Sequence, residues 1–224
     1  MNKTIAVVAA HPDDEAIGCA GSIARHVDDG DHIHAIFMSS GEGSRLADTD
    51  SSAKSRVTSM ENAAKLLGLQ STTCLNFPDN KMDSIPLLDI VQALELVFEK
   101  VRPQLVYTHH SGDLNVDHRR THEAVITACR PLPGSSVEEI LAFEVLSSTE
   151  WQSPVITPFV PNVYVDISAF IEKKKLAINA YKSEMREPPH SRCKDHIIAL
   201  ARHRGLSVGF EFAEAFFLVR KIRP

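Results

Sequence analysis

Residues 4–10 read Thr-Ile-Ala-Val-Val-Ala-Ala, an apolar run without a break, and His11-Pro12-Asp13-Asp14-Glu15 follows at once. A β-branched stretch with no polar alternation suits a strand covered on both faces, the habit of parallel sheets. Such a sheet needs helical crossovers, and the next residues supply one: Ile17, Ala20, Ile23, Ala24 and Val27 recur at helical spacing until Asp28-Asp29-Gly30. Further strands are predicted at 32–38, 72–75 and 105–108, separated by helices at about 56–67, 87–101 and 116–129. Pro103 closes the second of these. Residues 39–55 and 76–82 read as loops. Beyond the break at Pro131-Leu132-Pro133-Gly134, strands are expected at 140–145, 163–165 and 210–219, and helices at 169–181 and 195–203. The alternation predicts an α/β fold: a Rossmann-like, doubly wound, mostly parallel sheet with helices on both faces, as one domain over residues 1–224.

Composition narrows the function classes. With 24 basic and 29 acidic residues the formal charge is −5, and no Lys/Arg-rich tract exists, so binding of nucleic acid by bulk charge is excluded. Cys19, Cys74, Cys129 and Cys193 lie too far apart for a redox pair or a zinc ribbon and read as reduced, mostly buried thiols, which points to the cytoplasm. The first apolar run is too short to be a signal or membrane segment, so no membrane association is expected. Eleven histidines need an account. His122, His196 and His203 read as ordinary surface or core residues.

In open parallel sheets, ligands bind beyond the carboxyl ends of the strands. Two strand ends are loaded here: His11-Pro12-Asp13-Asp14-Glu15 after the first strand, and His109-His110-Ser111-Gly112-Asp113-Leu114-Asn115-Val116-Asp117-His118 after the strand at 105–108. A helix N-terminus explains Pro12 and one or two acids. It does not explain His11, nor three crowded carboxyls, each raising the cost of ionising the next. A divalent cation removes that cost. His11 and Asp14 can reach one ion across a tight turn while Asp13 points elsewhere, and His118 completes a set with an open position, the pattern of catalytic zinc. Asp117 or Asp113 would stand behind His118, and Asp13 is the candidate base. Two histidines and a carboxylate also describe the facial triad of non-haem iron oxygenases, but those use a β-barrel, which the βα alternation disfavours. A metal-free sugar- or nucleotide-binding domain is the rival from another class.

These motifs resemble the PIG-L/LmbE family of zinc-dependent N-deacetylases. Ala10 to Glu15 after a buried strand and Asp117-His118 about a hundred residues on carry the resemblance, with Ser40-Gly41-Glu42-Gly43-Ser44, Arg56 ahead of Leu67-Gly68, and Pro78-Asp79 in support. The resemblance implies zinc on His11, Asp14 and His118, Asp13 as general base, Asp117 orienting a neighbour, and Arg56 near substrate or acetate. It also implies hydrolysis of the N-acetyl group of amino sugars or their conjugates.

One departure stands out. Many members carry His three residues before the ligand His, where this chain has Asn115. Asn can donate to an oxyanion but cannot deliver a proton. The general acid is then either Asp13 acting twice or His190, in Pro188-Pro189-His190-Ser191-Arg192. Glu42, Arg56, Asp113 and Arg192 are the substrate candidates. If Glu42, Arg45, Lys81, Arg186 and Arg192 converge, the N-acetylated sugar would be acidic or nucleotide-linked. The apolar residues near Trp151 and Phe159 serve either an interface, as in a homo-oligomer, or the core.

Overall fold

A computed structural model describes residues 2–41 and 50–223, with residues 50–55 as backbone only. Seven strands, β1 (Thr4–Ala9), β2 (His32–Ser39), β3 (Ser71–Phe77), β4 (Leu105–His109), β5 (Glu139–Phe143), β6 (Val163–Asp166) and β7 (Ala213–Lys221), form one sheet in the order β3-β2-β1-β4-β5-β7-β6. Among the described residues six α-helices accompany it: α1 (Asp14–Asp28), α2 (Asp50–Leu67), α3 (Leu87–Val101), α4 (Val116–Ala128), α5 (Ile171–Ala180) and α6 (Lys194–Leu206). No helix among the described residues is long and apolar enough to cross a membrane.

β1 is central because its residues serve two cores. Ile5 and Val7 pack with α1, α5 and Tyr107 on one face, whereas Ala6 and Val8 pack with Ile90 and Leu94 of α3 and Val125 of α4 on the other. All four side chains are fully buried. At ~1.5–3 kcal/mol for each large apolar side chain removed from water, this explains the unbroken apolar run.

The parallel order holds from β3 through β5, with Ile5 of β1 in register with Ile33 of β2 and Leu105 of β4. β1 passes to β2 through α1 on one face, and β3 passes to β4 through α3 on the other. The sheet therefore reverses its winding between β1 and β4, and their carboxyl ends flank the crevice where such sheets bind ligands.

Several boundaries differ from expectation. α2 starts at Asp50, inside the stretch read as a loop, and α1 starts at Asp14 rather than at residue 17. The helix expected at 169–181 is a 3-10 turn over Ser168–Phe170 followed by α5. The final strand runs antiparallel to β5 and β6. That reversal brings the end of β7 beside the start of β5, away from the carboxyl ends of the parallel strands.

Candidate active site

The turn after β1 is held in an unusual backbone state. Asp13 has φ 122°, a region L-residues rarely enter, so surrounding contacts must impose it. Its N–H donates to Glu15 Oε2 at 3.0 Å, and the Tyr181 hydroxyl fixes that carboxylate by donating to Oε1 at 2.7 Å. Burial pushes Glu15 up to about 7. The turn separates two adjacent acids. Asp14 Oδ2 points at histidines, while Asp13 Oδ2 meets Arg192 Nη1 at 2.9 Å. Burial raises Asp13 to about 6 even though the Arg192 charge pulls the other way.

His11, Asp14 and His118 come together with one ligand atom of each within 4.8 Å of the others. His11 Nδ1 and His118 Nε2 each lie 3.3 Å from Asp14 Oδ2. A tetrahedron with metal–ligand bonds near 2.0–2.1 Å has edges of about 3.3 Å, so both distances to Asp14 suit a zinc-sized ion. The other nitrogen of each ring is backed by a carboxylate. His11 Nε2 is 3.0 Å from Asp117 Oδ2 and 3.2 Å from Asp79 Oδ1, and His118 Nδ1 is 3.1 Å from Asp113 Oδ1. Carboxylates behind ligand histidines fix ring orientation and raise basicity, a recurrent feature of metal sites.

Those carboxylates are themselves anchored. Asp117 accepts backbone N–H groups from Asn80 at 2.6 Å and Met82 at 3.0 Å. Asp113 accepts the Thr149 hydroxyl at 2.5 Å, the Asn115 N–H at 2.8 Å and the Ser148 hydroxyl.

The electrostatics are those of a cation site. Burial alone would lower both imidazoles, but the carboxylates outweigh it and hold His11 well above its usual value and His118 at about 9. Burial alone would raise Asp14, yet the His118 charge and the His11 ring hold it well below the usual carboxylate range. The negative charge that keeps protons on these rings equally favours a divalent ion bound to their neutral forms. His109 differs: its Nε2 accepts the Ala10 N–H at 2.8 Å, and burial pulls it to about 4, so it is a neutral ring stacked 3.9 Å from His118.

A cavity of about 250 Å³ opens over His11, Asp13 and His118, and Arg56, Trp151 and His190 contribute to its walls. The family model for GlcNAc-PI de-N-acetylase, PIG-L, matches residues 6–129, the segment that carries all three ligand candidates and their carboxylates. The chain belongs to the PIG-L family. That membership makes it an amide hydrolase of the N-deacetylase type.

Among PIG-L relatives, the uncharacterized deacetylase YaiS of Escherichia coli is 33% identical over 187 residues, covering 81% of this chain and 91% of its own. The diacetylchitobiose deacetylase of Thermococcus kodakarensis is 26% identical, covering 97% and 83%. Among solved structures, the N,N'-diacetylchitobiose deacetylase of Pyrococcus horikoshii superposes with TM-score 0.78 at 22% identity over 97% of this chain and 84% of that one. The 4-carboxy-2-hydroxymuconate hydratase GalB of Pseudomonas putida gives 0.73 at 22% over 100% and 98%. At such identities the likeness shows the fold alone, and the fold also carries a reaction that is not deacetylation.

Not every candidate faces the cavity. Asp113, expected at the substrate, is fully buried behind His118, and Asp117 backs His11 rather than His118. Arg192, also expected at substrate, does line the cavity, where it holds Asp13 and donates from Nε to Ser147 Oγ at 2.7 Å. Arg56 lines the cavity with one guanidinium nitrogen 2.5 Å from Glu184. Asn115 caps α4: its Oδ1 accepts the Asp117 N–H at 2.8 Å and its Nδ2 donates to Asn80 Oδ1 at 3.0 Å, so its amide already has structural work at the cavity edge.

His190 stands at the rim, edge-on to Trp151 with centroids 5.7 Å apart. Arg186 lines the cavity and Lys81 does not. Glu42 and Arg45 lie outside the described residues. Trp151 belongs to the cavity wall. Sequence reasoning missed Asp79, Asn80, Glu15 and Glu184 as site residues; Pro78-Asp79 was a visible motif, but nothing local tied it to His11.

Proposed function

We propose that this enzyme removes the N-acetyl group from an N-acetylated amino sugar or sugar conjugate, with one zinc ion held by His11, Asp14 and His118. The observation that carries the reading is the pairing of two functions across one turn. Asp14 joins two carboxylate-backed histidines, while the neighbouring Asp13 stands apart at the cavity, held by Arg192. The bound ion would supply a Lewis acid and a water acidified from about 15.7 toward ~7.

Asp13 would serve as the base for that water's proton, and Arg192 Nη1 holds its Oδ2 at 2.9 Å beside the cavity. Arg56 provides positive charge for the acetyl portion. His190 Nδ1 accepts the Arg192 backbone N–H at 3.0 Å, which leaves Nε2–H to hydrogen-bond the departing nitrogen but not to protonate it. Asp13, once protonated, is then the acid that returns the proton to the amine. Trp151 offers a flat apolar wall in an otherwise polar cavity, whose volume falls just below the ~300–1,000 Å³ usual for ligand sites. One sugar ring with its acetamido arm suits that volume. Residues 1–224 act as one catalytic domain on this reading, since Arg192 and His190 come from beyond the matched segment.

The sugar assignment is supported by the family description and by the diacetylchitobiose deacetylase relative. The test is acetate release across N-acetylated sugars, free, phosphorylated and nucleotide-linked, with metal content measured on the same sample. Acetate release dependent on one bound zinc is expected. Protein with a full metal complement that releases acetate from none of these sugars refutes the substrate class, and a requirement for iron and oxygen refutes zinc hydrolysis.

A further inference from the structure

The metal-binding turn sits at the head of a broken helix. α1 runs from Asp14 to Asp28, but Cys19 in its interior has φ −146° and ψ 18°, outside helical geometry. Four small residues, Gly18-Cys19-Ala20-Gly21, surround the break. Two of them are set by close approach: a Cβ on Gly18 would come within 2.5 Å of the Phe143 ring, and one on Gly21 within 2.7 Å of Ile167.

An intact helix would pair the Gly21 N–H with the Ile17 carbonyl, four residues back. Here a buried ion pair stands between those two groups. Lys174 Nζ, from α5, donates to the Ile17 carbonyl at 2.7 Å and the Ala16 carbonyl at 3.3 Å. Glu214, from β7, accepts the Gly21 N–H at 2.9 Å on Oε1 and the Ser22 N–H at 2.7 Å on Oε2. The two charges meet at 2.6 Å, and both side chains are almost wholly buried, at 2% and 4% exposure. The cation closes the carboxyl end of the first helical piece and the anion opens the amino end of the second, each matching the local backbone dipole.

The first piece is little more than one turn and cannot hold helical geometry unaided, because a single turn fixes several residues for one hydrogen bond. That turn carries Asp14 and Glu15 and follows Asp13. We propose that Lys174 and Glu214 are positioning residues: the buried pair inserted at the Cys19 break sets the tilt of the turn, so that Asp14 faces His11 and His118 while Asp13 faces the cavity. The reaction chemistry assigned above does not use either residue. Both lie outside the segment matched by the family model, 6–129, so the matched segment alone lacks the brace.

The proposal rests on the zinc-site reading, and the test separates the two. Zinc affinity is measured by competition with a chromogenic chelator for wild type, Glu214→Gln, Lys174→Gln, the double variant Lys174→Gln/Glu214→Gln, and Ile140→Ala as a core variant on the opposite face of the sheet. Wild type without a zinc site refutes the reading of the metal centre itself. If wild type binds, each folded single variant should bind at least tenfold more weakly than Ile140→Ala. The double variant, in which two neutral amides can bridge the same carbonyl and N–H groups, should recover part of that loss.

At saturating zinc the single variants should lose kcat with KM little changed, because Asp13 is displaced with the turn. Single variants that fold and bind zinc within twofold of wild type overturn the proposal. Should neither single variant fold, a double variant whose affinity equals that of Ile140→Ala overturns it, and a double variant that binds more weakly supports it.

Discussion

Asp13→Asn tests the division of labour at the site because it changes chemistry and little else. Asp13 sits at φ 122°, and Asn tolerates positive φ about as well as Asp does. Ala would lack that tolerance and mix a backbone cost of ~1–3 kcal/mol into the result. The Asn amide oxygen can still accept from Arg192 Nη1, which now stands at 2.9 Å, and Arg192 keeps its bond to Ser147. The guanidinium does lose a charged partner. Yet burial raises Asp13 to about 6 in spite of that charge, so the ionised carboxylate is unfavourable in the fold at neutral pH and the neutral amide should leave Tm unchanged or raise it.

The rate effect should be far larger. Removing a general base typically costs ~10²–10⁴-fold, about 2.7–5.4 kcal/mol at 1.36 kcal/mol per decade. Zinc should remain near one per chain, since Asp13 is not among the three converging ligand groups. The assay is acetate release with zinc stoichiometry on the same preparation. A rate within threefold of wild type, zinc bound, refutes Asp13 as base. Zinc lost together with the rate refutes the separation of Asp13 from Asp14.

Three other outcomes are expected. Asp113→Asn should weaken zinc binding by ~10–100-fold through the loss of the carboxylate behind His118, and unchanged affinity in a chelator competition would remove that role. Asn115→Ala should lower stability by ~1 kcal/mol through loss of the α4 cap, with kcat changed less than tenfold; a hundredfold fall in kcat at unchanged Tm would restore Asn115 as an oxyanion donor. Burial pushes the Cys129 thiol from 9.0 up to about 12, so folding favours its protonated form and its contribution to stability should fade as pH rises from about 9 toward 12. Chemical denaturation across that range checks the direction, and a thiol reagent at pH 8 should leave native Cys19 and Cys129 unlabelled.

What the sequence makes legible follows from range. The apolar run of β1, the helical spacing of α3 and the break before Pro103 are local, and each appears where its pattern places it. The His11, Asp14 and His118 set was also legible, because two strand ends that meet in a doubly wound sheet each carried chemistry that a bare helix terminus would not need. The start of α2 was not: Asp50-Ser51-Ser52 has turn chemistry, and the same residue types open helices. Orientation was equally hidden. Asp113 and Asp117 lie in one short motif, and which carboxylate backs which histidine depends on the path of the chain around Ser148, Thr149 and Asn80. The contacts of Arg192 with Asp13 and of Lys174 with Glu214 join distant segments, and no spacing rule reaches them.

The separation of the ligands along the chain has a consequence for cohesion. All four cysteines are free, so no covalent link ties the sheet together. On the proposed ligand set, an ion shared by His11 and His118 closes a loop of roughly a hundred residues between the first strand and the fourth, which an unfolded chain could assemble only at considerable entropic cost. The metal would then act as a reversible cross-link. At a thousand times its dissociation constant it would add ~4 kcal/mol to folding, equivalent to about 8–16 °C in Tm. On that ligand set the fold would be vulnerable to a chelator and indifferent to a reductant, the opposite of a domain stapled by disulfides.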